Sequence, residues 1–316
     1  MLTRHHWLGI GASILAGAFW GLVFLTPELT RGFAPMQLSA GRYLAYGLVA
    51  AALLAPGWRR VRPMLGWRDW RTLGWLSFAG NIIYYVFLAN AVQLGGVAMT
   101  SLIIGLLPVT VTLAGRRDAD AAPLLRLLPS LALGIAGLAC ISWQSLSSPQ
   151  HGSMQGSLIG LLCAVGALVS WTLYAVGNSR ALGRLKGVSA HDWSLLVGVV
   201  TGAQALLLAV PAFVLNPGVH ASSAWLYFGG VVTTVAILCS VVGNALWNHA
   251  SRLLPLTMTG QMIVFETLFA LLYGFIWEQR LPTGLEWLAM ALLIGGVLSC
   301  ASAHRERAGS EAAVTA

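Results

Sequence analysis

Ten apolar runs follow one another along the chain, most of them near the roughly 20 residues that a helix needs to cross a bilayer. They cover approximately Trp7–Leu29, Met36–Ala55, Trp70–Val92, Val97–Gly115, Leu124–Ser145, Gly156–Asn178, Asp192–Leu215, Ala224–Trp247, Leu256–Phe275 and Leu285–Ala303. Turn residues or charges separate them, and none alternates as a strand would. In hydrocarbon only helices and closed barrels satisfy the backbone. The runs therefore predict an all-α membrane protein with ten transmembrane helices. Only 9% of the residues are charged and 57% are hydrophobic, whereas a soluble globule carries about 25% charge. The lipid bilayer is the expected surrounding.

The charges that remain set an orientation. Of 18 Lys and Arg, fifteen fall at Arg4, in 59–71, in 116–126, in 180–186, at Arg252 and at 305–307. These are the segments that lie inside if both termini are cytoplasmic. The outer connectors hold only Arg31 and Arg280, and Arg42 stands within the second run. Such a bias over short loops fixes topology. It explains the net charge of +8 without a nucleic-acid partner. The opening MLTRHHWLGIGASILAG has the basic start and apolar core of a signal peptide, and is expected to stay as an uncleaved first span. Cys140, Cys163, Cys239 and Cys300 all lie in apolar runs without metal-ligand spacing and read as packing residues.

The polar connector Ser145–Gly156 divides the chain near its middle. Leu88–Pro108 can be laid on Leu246–Glu266 without a gap, which pairs Asn90 with Asn248, Ser101 with Thr259 and Pro108 with Glu266. Trp20 and Trp171 stand at equivalent places in the first run of each half. An odd number of spans per half turns the second half upside down, and inverted repeats with a midplane site mark secondary transporters. The expected organisation is two inverted five-helix repeats, 1–148 and 149–303, followed by a disordered cytoplasmic tail, 304–316.

At these residues the chain resembles the drug/metabolite transporter superfamily, in its ten-helix EamA-type branch. Trp20-Gly21, the Arg42-containing GRYLAYG, FLANAVQLGGVAMTSLIIGLLPV and WEQRLP (Trp277–Pro282) carry the resemblance. It implies a central cavity open alternately to each side, and export of small metabolites, often amino acids or related compounds. It also implies a bacterial inner-membrane location. Three positions depart from the family pattern: Trp277 replaces a Gly, Asp120 a Glu, and Glu266 a Pro.

Glu266 is the first candidate site residue, a carboxylate expected near the middle of the run LTMTGQMIVFETLFALLY. A charge at the midplane costs at least about 2.5–3.5 kcal/mol, so it is read either as a proton or substrate site or as a neutral Glu hydrogen-bonded to a neighbouring helix. Arg42 is either an anion hook, since a guanidinium matches a carboxylate bidentately, or a structural Arg bonded to carbonyls or to Glu28. Asn81, Tyr84 and Tyr85 share one helical face, as do Asn244 and Asn248. With Trp20, Trp171 and Tyr174 they offer amides and rings to a cavity, or pack helix on helix. Pro108 is expected to kink the fourth run. Gly17-x-x-x-Gly21 and Gly156-x-x-x-Gly160 are close-packing motifs.

No Walker motif is present to drive transport by ATP. No cofactor or metal is expected, and the partners are a small-molecule substrate and lipid, with the chain a monomer or homodimer. Two other classes compete with a secondary transporter. An intramembrane enzyme needs clustered His, Asp or Ser, and the four Asp and most His lie in connectors or at run ends. A membrane scaffold or sensor needs no buried carboxylate.

Overall fold

The computed structural model describes residues 4–114, 124–147, 153–185, 187–215, 218–253 and 262–315. Among them every regular element is helical: α1 (Arg4–Leu29), α2 (Pro35–Leu54), α3 (Trp58–Val61), α4 (Trp67–Ser77), α5 (Tyr84–Ile104), α6 (Leu107–Ala114), α7 (Leu124–Ser147), α8 (Met154–Arg184), α9 (Ala190–Ala209), α10 (Ser222–Val235), α11 (Asn244–Leu253), α12 (Val264–Glu278) and α13 (Gly284–Thr315). Six helical runs are long and apolar enough to cross a membrane, and Leu128–Gln144 and Gly284–Ser299 are shorter apolar helices.

Local chemistry explains the helix ends. Ser153 Oγ accepts from Gly156 N at 3.1 Å, and Ser189 Oγ from Asp192 N at 3.0 Å, so both serines satisfy orphan amides as N-caps. Pro35 opens α2, where its missing N–H costs nothing. The third and fourth expected runs are continuous from Trp67 to Ile104 apart from a bend at Gly96 (φ 85°, ψ 166°). That conformation is open to glycine, so a single residue serves as the connector. The helix breaks again at 105–106, and Pro108 sits at the second position of the new helix α6.

Three stretches widen into π-helix: Phe78–Ile83 between α4 and α5, Val210–Leu215 after α9, and Ala236–Gly243 between α10 and α11. Such turns leave carbonyls free to bond sideways. Ser170 Oγ donates to Ala79 O at 2.7 Å, and Trp20 Nε1 to Cys239 O at 3.0 Å.

The most extensive helix pairings are α2 with α9, α5 with α8, α7 with α13 and α1 with α12. Small residues let these backbones approach. A Cβ on Gly47 would lie 2.5 Å from Gly202 Cα, and one on Gly17 or Gly21 would lie 2.9 Å from Glu266 N or Ala270 N. Gly160 meets Gly95 N at 3.0 Å in the same sense.

Two expectations need correction. The tail is helical rather than disordered, because α13 continues to Thr315. Ala, Glu and Arg are strong helix formers, and extending a formed helix avoids the nucleation cost. Glu266 is also not in mid-helix, since α12 begins at Val264 and holds Glu266 in its first turn. Residues 254–261, the start of the expected ninth run, lie outside the described residues, as do Asp120 and Thr259.

At the other end of α12 the WEQRLP segment forms a charge cluster. Gln279 turns left-handed (φ 51°), and Arg280 then bonds Glu286 with two N–H groups at 2.7 Å each and Glu278 at 2.5 Å. Glu286 is buried and also accepts from Thr283 N at 2.7 Å. Removing one partner of a buried pair strands the other charge, at a cost of about 3–5 kcal/mol. Arg280→Ala is therefore expected to lower the thermal unfolding midpoint of the purified protein clearly, while Arg31→Ala at the half-exposed Arg31–Glu28 pair lowers it less. Equal midpoints would show that the cluster is not structural.

Candidate functional site

From Glu278 back to Glu266 the helix rises about 18 Å at 1.5 Å per residue, so a hydrocarbon core of about 30 Å places Glu266 near its middle. The adjoining surface is α1, whose Gly17 and Gly21 touch the backbone of α12 at Phe265–Glu266 and at Phe269–Ala270. Glu266 lies deep among the helices yet keeps accessible surface. Its carboxylate has no hydrogen-bond partner among the described residues. A partly buried carboxylate with no hydrogen-bond partner among the described residues is open to a proton or a ligand. The Glu266 backbone amide bonds Ile263 O at 3.0 Å.

Arg42 lies on α2, about 10 Å from the Pro35 end at 1.5 Å per residue. It is 7% exposed, and its guanidinium carbon sits 4.5 Å from the Tyr85 ring centre and 5.3 Å from that of Tyr43. Those two rings meet edge to face at 5.9 Å. Nη2 reaches Ser240 Oγ at 3.4 Å, while Nε and Nη1 have no acceptor. Glu28, the alternative partner, is instead held by Arg31 through bonds of 2.6 and 2.9 Å. Arg42 and Glu266 form no ion pair with each other. Tyr84 is buried as well.

The other expected residues divide. Tyr85 belongs to the Arg42 clamp, and its hydroxyl lies near Thr26 and Arg42 without a well-formed hydrogen bond to either. Trp20 is committed elsewhere, its N–H on Cys239 O and its ring 5.2 Å from Trp247. Asn81 donates to Thr201 Oγ1 at 3.0 Å, a bond between α9 and the π-helical stretch before α5. Trp171 and Tyr174 pack on each other at 5.9 Å, with Tyr174 lying over Gly80. Asn244 opens α11, and the Tyr46 hydroxyl donates to Ser194 O at 3.1 Å. Asn248 is on α11, and its side chain lies outside the described residues. Pro108 stands at the start of α6.

Sequence reasoning missed Tyr43, Ser240 and Cys239. Tyr43 follows Arg42 directly, so adjacency is a usable signal. Ser240 and Cys239 reach the site because the π-helical stretch rotates them there, which no periodicity reveals.

The chain is 35% identical over 318 residues to inner membrane protein YtfF of Escherichia coli (strain K12), spanning 95% of this chain and 96% of that one. A solved crystal structure of a protein 20% identical matches with a TM-score of 0.61, over 92% of this chain and 95% of its own, and so shares the overall fold. A sequence model of the EamA-like transporter family matches residues 7–143. A polytopic helical membrane protein whose unpaired charges sit inside the bundle, the chain belongs to the EamA-like transporter family of the drug/metabolite transporter superfamily.

Proposed function

We propose that the protein is a secondary active transporter that exports small metabolites, amino acids or related compounds, across an inner membrane by alternating access, coupled to protons through Glu266. The observation that supports this reading is the partly buried Glu266 carboxylate, without a hydrogen-bond partner among the described residues, at the crossing of α1 and α12. A carboxylate there is tolerable when neutral, or when a cavity admits water and a cation. Alternating access supplies that cavity on one face at a time, and a substrate that favours one protonation state links the two flows.

Two inverted five-helix repeats are the scaffold of this reading. Carrying the Leu88–Leu246 register upstream sets Phe78 on Ala236 and Ile83 on Val241, so two of the π-helical stretches fall on each other. Each accepts a bond from the first helix of the opposite half, Trp20 to Cys239 O and Ser170 to Ala79 O. The pairings have the same symmetry. The second helix of one half packs on that of the other (α2 with α9), the fifth on the fifth (α7 with α13), and the first on the fourth (α1 with α12, α8 with α6, where the Thr110 and Thr172 hydroxyls bond at 2.9 Å). Glu266 breaks the symmetry, because its equivalent is Pro108.

Both termini are cytoplasmic in this reading. The arginine-rich connector 55–66 meets the start of α9 through Arg60 and Asp192 at 2.9 Å, and α4 meets α8 through Asp69 and Arg184 at 2.8 Å. Phe33 stacks on His220 at 4.2 Å, joining two outer connectors. A single cysteine introduced in 183–189 should be labelled only from the cytoplasm, and one in 147–153 only from outside. Labelling of both from one side would remove the inverted arrangement. The transport reading is tested by a proteoliposome panel of amino acids and related solutes under an imposed pH gradient. Accumulation of at least one solute by the wild type and of none by Glu266→Gln is the expected result, and equal accumulation by both contradicts it.

A further inference from the structure

Arg42 presents a problem that the proton-carrying role of Glu266 leaves open. Its guanidinium is more than nine-tenths buried, and Nε and Nη1 have no acceptor among the described residues. Nη2 has only the long 3.4 Å contact to Ser240. A guanidinium carries five N–H donors, of which Nε and Nη1 supply three. Leaving donors on a buried charge unpaired costs more than leaving a neutral group so. The rings of Tyr85 and Tyr43 lie against the cation at 4.5 and 5.3 Å. These contacts hold the charge in place, yet supply no acceptor to its N–H edges. The buried Tyr85 hydroxyl is a further unpaired polar atom at the same spot.

We infer that Arg42, clamped between Tyr43 and Tyr85, is the seat for one carboxylate of the transported solute. The inference rests on the transporter reading and adds the charge its substrate must bear. A planar carboxylate accepts two parallel N–H bonds from a guanidinium, and the Tyr85 hydroxyl is placed to donate a further one. The guanidinium is flanked by Tyr43, Tyr85 and Ser240, none of them a second cation, which argues for a single negative charge on the ligand. A phosphate dianion would neutralise Arg42 and leave one charge buried without a partner, whereas a monoanion leaves no excess. Ser240 tethers Nη2 loosely enough to give way when the anion enters.

Binding to the purified full-length protein tests this without any gradient. The probes are L-alanine, L-leucine, L-phenylalanine and lactate, each beside its own methyl ester, and inorganic phosphate, read as ligand-induced shifts of the unfolding midpoint. At least one free acid should stabilise the wild type, while its ester and phosphate do not. Losing charge-assisted hydrogen bonds should weaken that acid about tenfold or more in Arg42→Gln. Arg42→Lys, which keeps the charge and loses the planar fork, should also weaken it. Stabilisation by esters as strong as by acids, no stabilisation by any acid, or full binding by a folded Arg42→Lys or Arg42→Gln protein overturns the carboxylate seat. Binding that follows these rules in a protein that moves no solute under a pH gradient overturns the transport reading instead.

Discussion

Glu266→Gln is expected to leave a folded protein that no longer concentrates its solute, with accumulation under a pH gradient falling to the level of empty vesicles. The change is nearly isosteric and permanently neutral, and Glu266 has no hydrogen-bond partner among the described residues that would be stranded. Stability should therefore change little. Exchange of solute for solute need not release the proton and should persist. Glu266→Asp should keep part of the activity with a displaced pH profile, because the shorter acid sits differently in the cavity. Loss of exchange together with accumulation, in a folded protein, would move Glu266 from proton carrier to structural or solute-binding group.

Gly47→Leu is expected to cost stability at the upper end of the roughly 1–3 kcal/mol seen for overpacked sites. The obstacle at Gly47 is backbone, since even a Cβ would lie 2.5 Å from Gly202 Cα. No rotamer change relieves it, so α2 and α9 must separate. Separation would also loosen Asn81–Thr201 and Ser77–Val197, bonds that tie α9 to the helix carrying Tyr84 and Tyr85. Gly74→Ala is the control, since nothing lies within 4 Å of its Cβ position, and alanine is the better helix former. The unfolding midpoint should drop for Gly47→Leu and hold or rise for Gly74→Ala. Equal midpoints would mean that the α2–α9 crossing tolerates separation.

Much of this molecule was legible before its structure. A charge within an apolar run is conspicuous, so Glu266 and Arg42 stand out, and the Gly17-x-x-x-Gly21 spacing lies where α1 meets α12. What resisted reading depends on how helices rotate and where they break. Trp20 and Asn81 look like cavity residues in sequence, but each spends its N–H on a neighbouring helix. The π-helical turn that brings Ser240 to Arg42 has no signature in composition. The bend at Gly96 was visible only as a gap between apolar runs, because one glycine does the work of a loop. The tail's polarity concealed a continued helix, since strong helix formers need no apolar face to extend one already begun.

The central claim is that solute and proton move as linked flows through Glu266. Wild-type proteoliposomes loaded with a pH-sensitive dye, given a solute gradient and no pH gradient, test it most directly. The account predicts that adding a transported solute changes the internal pH, that Glu266→Gln vesicles show no change, and that a protonophore abolishes the signal. Solute entry at an unchanged internal pH in the wild type would contradict it.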